Sequence, residues 1–208
     1  MDKIDAVILA GGYGTRLAGI WDKPKCLVPI HGKPLLAYLL YQLETIKINT
    51  LVLLLGHKHT EVLNWFFTSG TYDKWKDKVV VVAEVTPAGT AAALRMATPA
   101  LFGTTIVING DTLPCYSFKS LLDKYNTTMK HPAILHAVAA YQRDTYAGAA
   151  VLSHEALVHI NKTTPEDFDF YLPNMYHHQV PGFLDIGTPA GFHHAQTFHP
   201  PQDYNDSH

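Results

Sequence analysis

The sequence predicts an α/β fold: a doubly wound, mostly parallel sheet with helices on both faces. Two observations carry that expectation. Four strand-like runs are each followed by a stretch of helical periodicity, the order that wraps helices around a parallel sheet. The first run, residues 4–10, is apolar, β-branched and nearly unbroken, and it stops at Gly11-Gly12, as a buried parallel strand does.

The other elements can be justified in turn. Pro34 suits a first helical position, and Leu36, Leu39, Leu40, Leu43 and Ile46 then recur at helical spacing. A strand is expected at 51–55, then a helix at 58–67 with Val62, Trp65 and Phe66 toward its apolar side. Residues 79–85 read as a valine-rich strand, 90–97 as an alanine-rich helix, and 104–108 as a strand ending at Asn109-Gly110-Asp111. A helix at 117–125 and a strand at 133–139 follow. Beyond Gln142 the periodicity weakens. A strand at 147–152, a helix at 153–160 capped by Ser153, a strand at 183–186 and a closing helix at 187–198 with Pro189 in its first turn complete the reading. Residues 1–199 are expected to form one domain, and the polar, two-proline stretch 200–208 a frayed tail.

Composition narrows the function. Of 208 residues, 47% are apolar and 16% charged, too hydrophobic and too weakly charged for a disordered chain. Sixteen Lys and Arg against eighteen Asp and Glu leave a formal net charge of -2, with no electrostatic footprint for nucleic acid or an anionic membrane. No apolar run approaches the roughly 18 residues of a membrane span. Asp2 and Asp5 around Lys3 do not resemble a signal peptide, so a cytoplasmic location is expected. Cys26 and Cys115 are far apart and form no CxxC pair, which argues against a disulfide framework or a zinc site. Thirteen histidines include the pairs His177-His178 and His193-His194, but adjacent histidines point different ways and make poor co-ligands.

In doubly wound sheets ligands sit outside the carboxyl ends of the strands, so the loops 11–15, 84–90 and 109–112 are the informative ones. Glycines at 11, 12 and 14 let the backbone turn sharply and present N–H groups to phosphate oxygens. The string is neither of two common phosphate loops. No GxxxxGK[ST] occurs, and Leu17 stands where GxGxxG, counted from Gly12, needs its third glycine. Arg16 in the loop and Lys23-Pro24-Lys25 just after it supply cations that clamp polyphosphates.

Ala10-Gly11-Gly12-Tyr13-Gly14-Thr15-Arg16-Leu17, Pro24-Lys25 and Pro29-Ile30-His31-Gly32-Lys33-Pro34-Leu35 together resemble the signature of the sugar-1-phosphate nucleotidylyltransferases. The resemblance continues through residues 87–95, Asn109-Gly110-Asp111-Thr112 and residues 183–189, spanning nearly the whole chain. Within that family it is most similar to the D-glycero-D-manno-heptose 1-phosphate guanylyltransferases. The fold implied is Rossmann-like, of the nucleotide-diphospho-sugar transferase kind. The reaction implied is attack of a sugar-1-phosphate oxygen on the α-phosphorus of a nucleoside triphosphate, releasing pyrophosphate.

The resemblance also assigns roles. Arg16, Lys25, Asp111 and Asp185 are the catalytic set, with Asp111 and Asp185 as the ligands of Mg²⁺. Ala10, Gly11, Gly12, Gly14, Thr15 and Arg16 hold the nucleotide's phosphates, and Glu84, Pro87, Gly89 and Thr90 its base. Asn109 and Gly148 face the sugar substrate. The partners implied are an NTP, with GTP favoured over UTP and CTP, and a heptose or hexose 1-phosphate. The chain departs from the family at one place. Members carry a further stretch with a Glu-Lys dipeptide after the strand resembling 133–139, and here residues 139–143 run almost at once into 146–153. Arg143 and Lys162 are the candidates to replace that lysine. A non-catalytic nucleotide or sugar-nucleotide binder with the same fold is the alternative.

Overall fold

The computed structural model describes residues 3–84, 89–128, 137–162, 168 and 171–198. The chain opens with strand β1 (Ile4–Ala10), the glycine loop, and short 3-10 turns at Thr15–Leu17 and Lys25–Leu27. A small hairpin, β2 (Pro29–Ile30) and β3 (Lys33–Pro34), leads into α1 (Leu35–Glu44). Pro34 stands one residue before the helix, as its cap rather than its first residue. Then come β4 (Ile48–Leu55), α2 (His59–Thr68), a short α3 (Thr71–Trp75), β5 (Val79–Ala83), α4 (Thr90–Ala97), β6 (Thr104–Asn109), β7 (Thr112–Pro114) and α5 (Phe118–Thr128). The last part holds β8 (Ala137–Gln142), β9 (Thr145–Leu152), α6 (His154–Lys162), β10 (Tyr176–Gln179), β11 (Phe183–Asp185) and α7 (Pro189–Thr197).

Among the described residues the central sheet has seven strands in the order β10-β8-β9-β6-β1-β4-β5. Pairings β6–β1, β1–β4, β4–β5 and β10–β8 are parallel, and β9 alone runs antiparallel to its neighbours β6 and β8. The expectation of a doubly wound, mostly parallel sheet is met, and the apolar strands show why. Ala6 and Ile8 of β1 and Leu51, Leu53 and Leu55 of β4 face one core with α1, α2 and α5. Val7, Val52 and Leu54 face a second core with α4 and α6. Both faces are covered, so alternation gives way to continuous apolar runs.

Three local features fix the frame around the site. Asp5 is fully buried on β1, where its carboxylate accepts the N–H groups of Phe102 and Gly103 and the side-chain amide of Asn49. That ties the loop entering β6 to β1. Buried Gln42 donates to the Tyr116 carbonyl and accepts from the Phe118 N–H, locking α1 to the start of α5. Ser153 caps α6 as the sequence indicates, its hydroxyl accepting from the Ala156 N–H.

Several expectations are adjusted. The valine run ends at Ala83 and forms the sheet's edge, with Val80 and Val81 39% and 38% exposed. Strand β8 begins at Ala137, and residues 133–136 of the expected strand lie outside the described residues, as do Val85, Pro87 and the tail 200–208. Elements β2, β3, α3, β7 and β10 were not anticipated, and His177-His178 stands on the edge strand β10.

Candidate active site

Strand β1 feeds β4 and β5 on one side of the sheet, after which the chain crosses back to place β6 on its other side. The carboxyl ends of β1 and β6 therefore flank a switch point, where open α/β sheets leave a crevice. A cavity of about 250 Å³ opens there. Ala10, Gly11, Gly12, Lys25, Glu84, Gly89, Thr90, Asn109 and Asp111 line it, each of them expected from the sequence. Gly14 and Thr15 line an adjoining hollow that shares Gly12 and Lys25 with the first.

Two glycines bring the loop down onto the strand ends. A Cβ on Gly56, directly after β4, would lie 2.2 Å from the Gly11 carbonyl oxygen, so the two backbones touch as only glycine permits. A Cβ on Gly11 would in turn lie 2.7 Å from a Glu84 carboxylate oxygen, which places the buried Glu84 side chain on the cavity wall. Gly89 stands before the first residue of α4 at φ 91°, a left-handed value, and turns the chain so that the helix N-terminus faces the cavity. Gly56 was missed in the sequence. Its signal was a glycine at the end of a second parallel strand beside the first.

The carboxylates are brought together by a two-stranded ladder. Strands β7 and β11 pair antiparallel with Thr112 opposite Asp185, and the Ile186 N–H donates to the Asp111 carbonyl. An ideal Cβ on Gly187 would stand 2.9 Å from Asp111 Oδ2, 3.0 Å from Asp185 Oδ1 and 3.1 Å from Arg16 Nη2. The two carboxylate oxygens are thus no more than about 6 Å apart, and a small side-chain rotation brings them within the roughly 4 Å that a shared cation with oxygen–metal distances near 2.1 Å requires. Asp185 is held by the Gly187 N–H, which donates to Oδ1 at 2.8 Å. Lys25 Nζ donates to Asp111 Oδ2 at 2.7 Å. Arg16, Lys25, Asp111 and Asp185 therefore converge.

Gly148 adopts φ 80°, and a Cβ there would meet the Thr112 side chain at 2.7 Å. It bears on the site by giving Thr112, the neighbour of Asp111, its seat. Cys26 also lines the cavity, but burial, reinforced by the nearby Asp111 charge, pushes its thiol up to about 12. It stays protonated near neutral pH and is no nucleophile. Among the described residues no helix is long and apolar enough to cross a membrane.

Fold and crevice define an α/β protein with a Rossmann-like sheet and a glycine loop near paired carboxylates. Within that class, residues 5–161 match the nucleotidyl transferase family, and the chain belongs to it. It is 29% identical over 124 residues to the D-glycero-alpha-D-manno-heptose 1-phosphate guanylyltransferase of Aneurinibacillus thermoaerophilus, a match covering 59% of this chain and 52% of that one. It is 31% identical over 111 residues to the bifunctional protein GlmU of Methanococcus vannielii, covering 53% of this chain and 25% of that one. The chain thus spans only a quarter to about half of these relatives' lengths. The crystal structure of HddC from Yersinia pseudotuberculosis superposes with a TM-score of 0.71 at 25% identity, covering 92% of this chain and 97% of that one.

Proposed function

We propose that the protein is a sugar-1-phosphate nucleotidylyltransferase. It transfers a nucleoside monophosphate from an NTP, with GTP favoured, to a heptose or hexose 1-phosphate. The observation that carries this reading is the meeting of the glycine loop, Arg16 and Lys25 with the Asp111–Asp185 pair around one crevice. The relative from Aneurinibacillus thermoaerophilus, a heptose 1-phosphate guanylyltransferase by name, favours GTP and a heptose.

In this reading backbone N–H groups at residues 11–14 and the Arg16 guanidinium bind the β- and γ-phosphates. Glu84, Gly89 and Thr90 surround the base, and Asn109 lies toward the sugar. A phosphate oxygen of the sugar 1-phosphate forms a bond to the α-phosphorus, and the bond from that phosphorus to the bridging oxygen breaks. The electron pair leaves with pyrophosphate. The nucleophile is already an anion, so no general base is needed, and the work lies in aligning two polyanions and neutralising them. Lys25 would contact the α-phosphate and the incoming phosphate, lowering their repulsion.

Asp111 and Asp185 suit a divalent cation such as Mg²⁺. Two carboxylates, with substrate oxygens and waters completing the shell, are what that ion takes, and Gly187 leaves the hollow between them open. When bound, the cation neutralises charge on the reacting phosphate.

A second reading, a non-catalytic binder of nucleotide or sugar nucleotide, is favoured by one observation. Strands β8 and β9 are joined by the two-residue turn Arg143-Asp144, which leaves no segment where the family carries its Glu-Lys stretch. Pyrophosphate release from each of four NTPs with a panel of sugar 1-phosphates separates the readings. Metal-dependent release with at least one pair is expected. Nucleotide binding without release from any pair would establish the binder.

A further inference from the structure

Four charged groups meet beside Gly187, and their arrangement carries a consequence for the order of binding. Lys25 Nζ lies 2.7 Å from Asp111 Oδ2, and the two side chains are only 15% and 28% exposed. Arg16 Nη2 and Asp185 Oδ1 border the same point as Asp111 Oδ2. The Lys25 ammonium is thus already paired with Asp111, and the Arg16 guanidinium adds a second positive charge nearby. A divalent cation ligated by Asp111 Oδ2 at about 2.1 Å would stand within about 5 Å of the Lys25 ammonium, a strong like-charge contact in a partly desolvated place. The lysine stem rests on the glycine loop: a Cβ on Gly14 would be 3.7 Å from Lys25 Cγ, and one on Gly12 3.9 Å from Nζ. Phosphates held by that loop would therefore compete with Asp111 for the same ammonium, through side-chain rotation alone.

We propose that Lys25 is a built-in counter-ion that occupies Asp111 until nucleotide phosphates draw it away, so that the divalent cation enters with or after the nucleotide and not before it. This rests on reading Asp111 and Asp185 as the cation's ligands. The coupling is reciprocal: nucleotide frees the carboxylate for the cation, and the bound cation holds Lys25 on the phosphate side. The nucleotide-free protein is thereby kept from taking up divalent ions at a half-built site.

The test titrates Mn²⁺ into the nucleotide-free full chain and reads free ion from its electron paramagnetic resonance signal. Wild type should bind weakly. Lys25→Met, which keeps length and loses charge, should bind at least tenfold more tightly, and Lys25→Met with Asp111→Asn should return to the weak level. Lys25→Gln serves as a second variant should the methionine protein fail to fold by circular dichroism. If neither charge-free variant binds Mn²⁺ more tightly than wild type, the counter-ion role is overturned. Failure of the underlying reading looks different: Asp111→Asn and Asp185→Asn would then leave Mn²⁺ binding in the presence of nucleotide intact.

Discussion

Asp111 and Asp185 act through one ion in the proposed reaction, and that makes their substitutions informative together. Asp111→Asn preserves size and removes a negative charge from a site facing a divalent cation. The expected loss is several kcal/mol of transition-state stabilisation, about a thousandfold in kcat. Asp185→Asn should behave alike, and the double variant should be little worse than either, because groups serving one ion are not additive. Steady-state pyrophosphate release measures all three. A double variant as slow as the product of the two single effects predicts would contradict a shared ion. Gly187 provides a sharper case. Its substitution by Ala places a methyl about 3 Å from both carboxylates and Arg16. We expect Gly187→Ala to retain nucleotide binding, measured by calorimetry in EDTA, while turnover falls at least tenfold. Turnover at the wild-type level would show that the hollow is not used. Gly187 was legible only as part of a motif; the contact that makes its bareness matter involves Asp185 together with Arg16 and Asp111, both distant in sequence.

At the level of elements, the sequence was most readable where one covering layer decides everything. Helix α4 was anticipated at its observed bounds because its alanine face packs under the sheet. Strand β10 was not, since Tyr176-His177-His178-Gln179 has neither apolar alternation nor β-branched residues. It pairs at the sheet's edge and is largely exposed. What helps hold it is the His177 ring stacked on Tyr141 at 3.9 Å, a contact no periodicity reveals. This strand carries a pH prediction. Burial, and secondarily the Lys124 charge, lower the His178 pKa below its usual 6.5, so the folded state prefers the neutral ring. A lowered histidine gives its full contribution above the unfolded value and loses it as pH falls through the folded one. Urea midpoints should therefore decline from pH 7 toward pH 5, and His178→Gln should flatten that decline. An unchanged slope in the variant would remove His178 as its source. The β8–β9 turn carries another. Arg143 sits at φ 54°, a left-handed conformation that disfavours side chains, while its N–H donates to the Gln179 side chain. Arg143→Gly should leave stability unchanged or raise it by up to about 1 kcal/mol, since relief of strain outweighs glycine's added entropy. If its KM for sugar phosphate rises alone, the guanidinium stands in for the family's lysine; if no kinetic constant moves, it does not.

For the molecule as a whole, the parallel core and the crevice could be read because strand order and chemistry obey one rule: ligands gather at the carboxyl ends where the winding reverses. The seating of that crevice could not. Which strand lies at the edge, that Gly56 abuts Gly11, and that Lys25 rests on Asp111 are all decided by pairings between remote parts of the chain. The valine run shows the limit: its composition reads as interior, while the sheet order leaves it at the border with two valines well over a third exposed.

The ladder that pairs β7 with β11 sets a schedule for the life of the chain. During synthesis the glycine loop, β1 and β6 leave the ribosome long before Asp185 does, so the loop that would bind phosphates in the proposed reading is made while half of the carboxylate pair is still unmade. Closing that long loop carries an entropic cost, because non-local contacts reward the chain only after its ends are gathered. In the proposed reading, completion of the carboxylate pair then coincides with completion of the fold, and a chain stalled before β11 would bind nucleotide without turning it over. Chains stalled on the ribosome before and after β11 has emerged should both retain a photo-crosslinkable nucleotide, with pyrophosphate release confined to the longer one.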